Sequence, residues 1–204
     1  PDRAVGEAML RRAVAEAQRL EAIFSLYRTD TALAELNRSG VLVGPPAELV
    51  HLLELCDDLW QVTDGAFDPT VQPLWRCYAD HFASADADPG GPTREALAEA
   101  VGLVGWSKVR FSRNRIALGQ RGMGLTLNGI AQGYITDRVV DLLRQEGIVS
   151  SLVDMGEIRT LGHRPDGHAW QADVETATTR HRRTLDLVDM AVATTGADGF
   201  RFDA

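Results

Sequence analysis

The stretch "LNGIAQGYITDRV", Leu127 to Val139, carries two glycines four residues apart and still reads as the start of a helix. Ala131, Ile135 and Val139, continued by Leu142, recur at three- and four-residue spacing and predict one buried face. The helix is expected over 129–146, closed by Gly147. Asn128 stands where an N-cap belongs, with a side-chain oxygen able to accept from a first-turn N–H. Glycine costs ~1 kcal/mol against alanine in a helix interior and little in the first turn. Gly129 is therefore tolerated, whereas Gly133 predicts a neighbour packed closely on its turn. Gly129 has a second use. With no Cβ it leaves the backbone open to a cation, or to an anion favoured by free N–H groups and the helix dipole. The competing reading is a helix whose glycines only let it lie tightly on a strand. No GxGxxG or GxxxxGK[ST] is present, and "GQRGMG" (119–124) reads as a turn.

Outward from this helix the period changes. "KVRFS" (108–112) and "RIALG" (115–119) precede it as short strand candidates, joined at Arg113-Asn114. "SSLVDMG" (150–156), "HAWQADVE" (168–175), "TLDLVDM" (184–190) and "AVATTG" (191–196) come after it as strands. The first half is helical instead. Residues 5–26 form an amphipathic pattern with Leu10, Val14, Ala17 and Phe24 on one face. "TDTALAELN" predicts a short helix capped by Asp30 or Thr31, ending near Asn37 before Gly40. "PPAELVHLLELCDDLWQVTDG" (45–65) starts on two prolines and stops on a glycine. "TREALAEAV" is a helix capped by Thr93, after a surface loop at 83–92. The fold class is α+β, with a helix-rich N-terminal half, a strand-rich C-terminal half and one long helix embedded in the latter. There is no internal repeat.

Bulk properties narrow the function. The 204 residues are 45% hydrophobic and carry a formal net charge of −8, with no dense Lys/Arg block, so nucleic acid is not an expected partner. No apolar run is long enough to span a membrane, and residues 1–25 lack the layout of a signal peptide. Cys56 and Cys77 form no CxxC. They read as two buried thiols, with a single disulfide as the alternative. His51, His81, His163, His168 and His181 are scattered and read as non-ligands. "ADAD" (85–88) lacks the spacing of a calcium loop.

Four further segments alter the picture. "FSLYRTDTALAELN" (24–37), "GAFDPTVQPLW" (65–75), "LVDMGEIRTLG" (152–162) and "AVATTG" (191–196) occur in a fixed order around "LNGIAQGY". Together they resemble the ApbE family of FAD:protein FMN transferases over nearly the whole chain. The wording "LNGIAQGY" with "DMGEIR" is most similar to the NosX-like branch associated with nitrous-oxide reductase maturation. The resemblance implies a single ApbE-like domain over 1–204, truncated at both ends. It also implies an activity, in which FAD is the substrate, a divalent cation (Mg²⁺) assists, AMP is released, and FMN is joined through its phosphate to a Thr/Ser hydroxyl. The implied acceptor is a periplasmic redox flavoprotein, the implied location is the periplasm, and membrane association would run through an absent N-terminal segment.

Residue by residue, the resemblance makes Ala66, Phe67 and Asp68 of "GAFDPT" cofactor contacts. Asp68 is equally placed to cap a helix over 69–79. Tyr27 matches an aromatic near the flavin nucleotide, with core packing as its alternative. Thr126 and Gln132 match flavin-nucleotide positions, and Gly129 matches a position whose backbone carbonyl holds the cation. Asp154 and Glu157 are expected near the nucleotide pocket, or as turn-formers, and the hydroxyls of Thr194 and Thr195 beside a phosphate or cation. The family usually has lysine where this chain has Gln132. It also continues beyond "ATSG" into an HxxDP motif and an Asp and Thr that complete the cation site. No catalytic residue is assigned. A non-catalytic FAD-binding protein that stores or delivers flavin is the alternative function, and a ligand-free scaffold fragment the third reading.

Overall fold

The computed structural model describes residues 3–175 and 182–195. The elements are α1 (Arg3–Phe24), α2 (Ala32–Ser39), β1 (Val41–Val43), α3 (Ala47–Val62), α4 (Gln72–Phe82), α5 (Arg94–Gly102), β2 (Val109–Phe111) and β3 (Arg115–Leu118). They continue with α6 (Ala131–Gln145), β4 (Ser151–Asp154), β5 (Ile158–Leu161), β6 (Trp170–Glu175), β7 (Arg182–Leu187) and β8 (Ala191–Val192). Single 3₁₀ turns occupy Pro69–Val71 and Trp106–Lys108. This is an α+β chain. No helix among the described residues is long and apolar enough to cross a membrane.

The chain divides into two compact units. One contains Arg19–Ala131. Its sheet has the order β1-β3-β2, antiparallel throughout, with Ile116 facing Leu42 on one side and Phe111 on the other. Leu33, Leu36, Leu49, Leu52, Leu53, Cys56 and Ile116 are fully buried. Each such leucine contributes ~1.5–3 kcal/mol relative to an exposed one. Helix ends are set locally. Thr31, rather than Asp30, caps α2 by accepting from Ala34 N at 3.0 Å, and Gly40 closes it in the left-handed region at φ 74°. Thr93 caps α5 by accepting from Ala96 N. The strand β1 follows Gly40 directly and is absent from the sequence expectations, because three residues are too few to show a period.

The other unit contains the start of the chain through Gln18 together with Gln132–Thr195. Here β4, β5 and β8 form one antiparallel sheet in the order β4-β5-β8, and β6 pairs with β7 in a hairpin. Buried Thr160 exchanges hydrogen bonds with the backbone of Met190, through Met190 N at 3.1 Å and Met190 O at 3.2 Å. The strand expected at "AVATTG" is confined to Ala191–Val192, and its Gly196 lies outside the described residues, as does His181.

Several expectations fail. Leu10 and Val14 are 65% and 48% exposed, and α1 buries only Leu20, Ile23 and Phe24. Helical spacing identifies residues that share a stripe, not whether anything covers it. In α6 the fully covered positions are Ala131, Thr136, Val139 and Val140, while Ile135 and Leu142 are half-buried. A Cβ on Gly133 would meet nothing within 4 Å, so no described neighbour requires that glycine. Both cysteines are free, and only Cys56 is buried, because Cys77 lies on a half-exposed position of α4.

Candidate functional site

Two irregular segments of the Arg19–Ala131 unit run side by side, 65–70 and 124–130. Gly65 turns the first at φ 78°, and Phe67 N donates to Thr63 Oγ1 at 3.1 Å. Asp68 then fixes the next turn of the chain. Its Oδ1 accepts from Thr70 N at 2.8 Å and Thr70 Oγ1 at 2.6 Å, and its Oδ2 accepts from Trp106 N at 3.2 Å. Thr70, fully buried, accepts in turn from Gly105 N at 2.7 Å. The capping alternative for Asp68 is therefore realised, on the 3₁₀ turn Pro69–Val71 that leads into α4. Both carboxylate oxygens are engaged with the protein.

The second segment has no ladder of its own between 121 and 127, so its backbone groups find partners elsewhere. Leu125 N donates to Asn37 Oδ1 at 2.7 Å, and Asn37 Nδ2 donates to Leu125 O at 2.9 Å. Thr126 N donates to Pro69 O at 2.8 Å, which ties the two segments together. Leu127 O accepts from Ile130 N and Ala131 N, so the helical turn opens at Leu127. Asn128 is not the side-chain cap expected of it. Its amide reaches across to Tyr27 and donates to Oη at 3.2 Å, while its backbone N donates to Thr126 Oγ1 at 3.3 Å.

Gly129 is exposed, and a Cβ there would stand 3.5 Å from Phe67 Cε2. The ring edge of Phe67 and the bare backbone of Gly129 are thus neighbours. Tyr27 is 85% exposed, which overturns the core-packing alternative. Its backbone N donates to Ser25 Oγ, and Thr31 Oγ1 donates to Ser25 O at 2.7 Å, closing the turn that carries it. Arg28 donates twice to Asp30 in the same turn, and those hydrogen bonds hold the Asp30 carboxyl below its ordinary range. Tyr27, Phe67, Asp68, Thr126 and Gly129 are therefore gathered on one unit, with Ala66 exposed beside them. Thr126 Oγ1 and Tyr27 Oη each accept one bond and retain a hydroxyl proton to donate.

Gln132 belongs to the other unit. Its Nε2 donates to Met155 O at 2.5 Å, and a Cβ on Gly156 would fall 2.0 Å from that nitrogen. Gly156 is held at φ 91°. One of the two amide N–H groups of Gln132 is thus engaged with the 154–157 turn, and the second is left to donate elsewhere. Thr136, one turn on, donates to Gln132 O at 2.9 Å. Asp154 makes the turn by accepting from Gly156 N at 3.0 Å, and Glu157 Oε2 is buried without a hydrogen-bond partner among the described residues. Asn37 is the residue that sequence reasoning misses. Its pattern marks only a helix end, and nothing in the sequence points to a partner 88 positions away.

A family model described as the ApbE family matches residues 3–204. A FAD:protein FMN transferase of Chlamydia pneumoniae is 28% identical over 182 residues, covering 87% of this chain and 55% of the relative. One of Haemophilus influenzae is 29% identical over 189 residues, covering 87% and 54%. The chain thus spans about half the length of these curated relatives. Among solved structures, the apo flavinyl transferase ApbE of Pseudomonas stutzeri is similar at TM-score 0.81 and 28% identity, covering 94% of this chain and 60% of that one.

Proposed function

The chain belongs to the ApbE family, and from that premise we propose that it serves transfer of FMN from FAD to a Thr/Ser hydroxyl of a partner flavoprotein. The observation that carries this reading is the Gly129–Phe67 juxtaposition, with Tyr27 held by Asn128 beside it. Phe67 and exposed Tyr27 supply apolar and aromatic surface suited to a flavin ring. The bare backbone at Gly129 and the free proton of Thr126 Oγ1 suit a phosphate. In the transfer, the acceptor's hydroxyl oxygen bonds the phosphorus that carries riboflavin. The bond from that phosphorus to the bridging oxygen breaks, AMP leaves with the electron pair, and the hydroxyl proton passes to solvent. The work left to protein in such a reaction is positioning and charge stabilisation.

The family reading includes Mg²⁺ at the Gly129 carbonyl. That is one donor, and among the described residues no group of three His, Cys, Asp or Glu side chains gathers to complete a cation shell. Asp68, the carboxylate within these two segments, already accepts three hydrogen bonds. The described residues alone do not supply a complete cation shell. The second reading is a protein that binds and delivers FAD without transferring FMN. The proposal extends to a periplasmic redox flavoprotein as acceptor, a periplasmic location and a NosX-like branch. One assay separates the two readings. The protein is incubated with FAD, Mg²⁺ and a threonine-bearing target domain, and a covalent fluorescent flavin band on the target is expected. FAD binding without that band supports delivery, and absence of FAD binding removes both.

A further inference from the structure

Asn37 sits in the last turn of α2, and α2 does not need its side chain. The helix is already closed by the Thr31 cap and the Gly40 turn, and anchored by buried Leu33 and Leu36. Both functional groups of the Asn37 amide instead face one residue, Leu125, donating to its carbonyl and accepting from its N–H. The orientation of the amide is fixed by this pairing, since the flipped form would set N–H against N–H and oxygen against oxygen. The packing around the pair is close. A Cβ on Gly124 would lie 3.6 Å from Asn37 Oδ1 and 3.5 Å from Gln72 Cγ. Leu125 and Leu127 are buried, and Thr126 between them is half-buried.

We propose that Asn37 is a positioning residue for the flavin-nucleotide segment 124–129, acting as a two-bond clamp on Leu125 that fixes how Thr126 and Gly129 face the ligand. The inference rests on the FAD-binding reading above. Its physical basis is that a segment without a ladder takes its placement from whatever satisfies its backbone. Here the neighbouring pins are Asn37 at Leu125 and Pro69 at Thr126. Release of the first leaves the segment held by the Pro69 bond at Thr126 and the Tyr27 bond at Asn128.

The test uses FAD titration and hydrogen–deuterium exchange on the full chain. Asn37→Ala is expected to weaken FAD binding about tenfold, the loss of two hydrogen bonds to a buried backbone. It is also expected to speed exchange across 123–130 while the peptide covering Ala47–Val62 keeps its protection. Asn37→Asp has the shape of asparagine but sets an oxygen against Leu125 O, so it is expected not to restore affinity. Wild-type affinity in either variant overturns the proposal, because shape alone would then suffice. Exchange that is unchanged at 123–130, or that rises equally in both peptides, overturns it as well. Failure of the wild type to bind FAD defeats the functional reading instead, and the exchange comparison still decides whether Asn37 holds the segment.

Discussion

Gly129 and Phe67 are 3.5 Å apart at the point where a side chain on Gly129 would begin, a distance of ordinary contact rather than collision. Steric need for glycine at this position is therefore weak, and the proposed approach of a ligand is a separate reason for it. Gly129→Ala is expected to leave the melting temperature unchanged or slightly higher, by the equivalent of ~0.4–1 kcal/mol. FAD affinity is expected to fall in the same variant. Thermal melts and flavin fluorescence titrations check this, and retention of full affinity would remove Gly129 from the site.

Two other glycines give opposite signs. Gly156 has φ 91°, and a Cβ there would collide with Gln132. Gly156→Ala is expected to destabilise by more than ~1 kcal/mol. Gly133 lies inside α6 with nothing within 4 Å of a Cβ, so Gly133→Ala is expected to stabilise by roughly 1 kcal/mol. Urea unfolding measures both; an unchanged or raised midpoint for Gly156→Ala would contradict the strain at that turn, and a lowered one for Gly133→Ala would contradict the open space there.

Asp68 links three donors across two loops. Asp68→Ala strands the N–H of Thr70 and of Trp106, and both residues are buried. The expected cost is ~1–3 kcal/mol. An unchanged unfolding midpoint would show that these bonds are replaced by water without loss.

The two thiols differ in reactivity. Burial disfavours the thiolate at Cys56 and pushes it from 9.0 up to about 12. Iodoacetamide at neutral pH is expected to label Cys77 in the native protein and both cysteines in urea. The unfolded chain ionises first, so the stability associated with Cys56 is complete below about 9 and is lost as pH rises toward about 12. Native labelling of Cys56 at the rate of Cys77 would contradict its burial.

Calorimetric titration of Mg²⁺ into the protein without nucleotide is expected to give no saturable heat, since the described residues gather no cation shell. A site tighter than roughly 0.1 mM would show that ligands outside those residues complete one.

The sequence carries the elements better than their partners. Thr31, Gly40 and Thr93 act within three or four residues of themselves, and local chemistry identifies such positions. Leu10 and Val14 keep helical spacing but are exposed, because period reports direction and not cover. Asn128 has the chemistry of a cap, and the choice between capping and bonding Tyr27 depends on a contact 101 residues distant. The clamp by Asn37 is illegible for the same reason. Phe67, Asp68, Thr126 and Gly129 are named as candidates by the family resemblance, and their adjacency comes from the fold. The same resemblance assigns Gln132 to the ligand, and the bond of one amide N–H to Met155 O depends on a turn 23 residues away that the sequence does not announce.

The turn from Ser25 to Thr31 is stapled at both ends and across its middle by Arg28 and Asp30, yet it holds Tyr27 out in water. Its conformational freedom is surrendered during folding, long before any aromatic ring arrives. A planar partner stacking on that phenol would meet a surface already set, and association there would lose little further entropy.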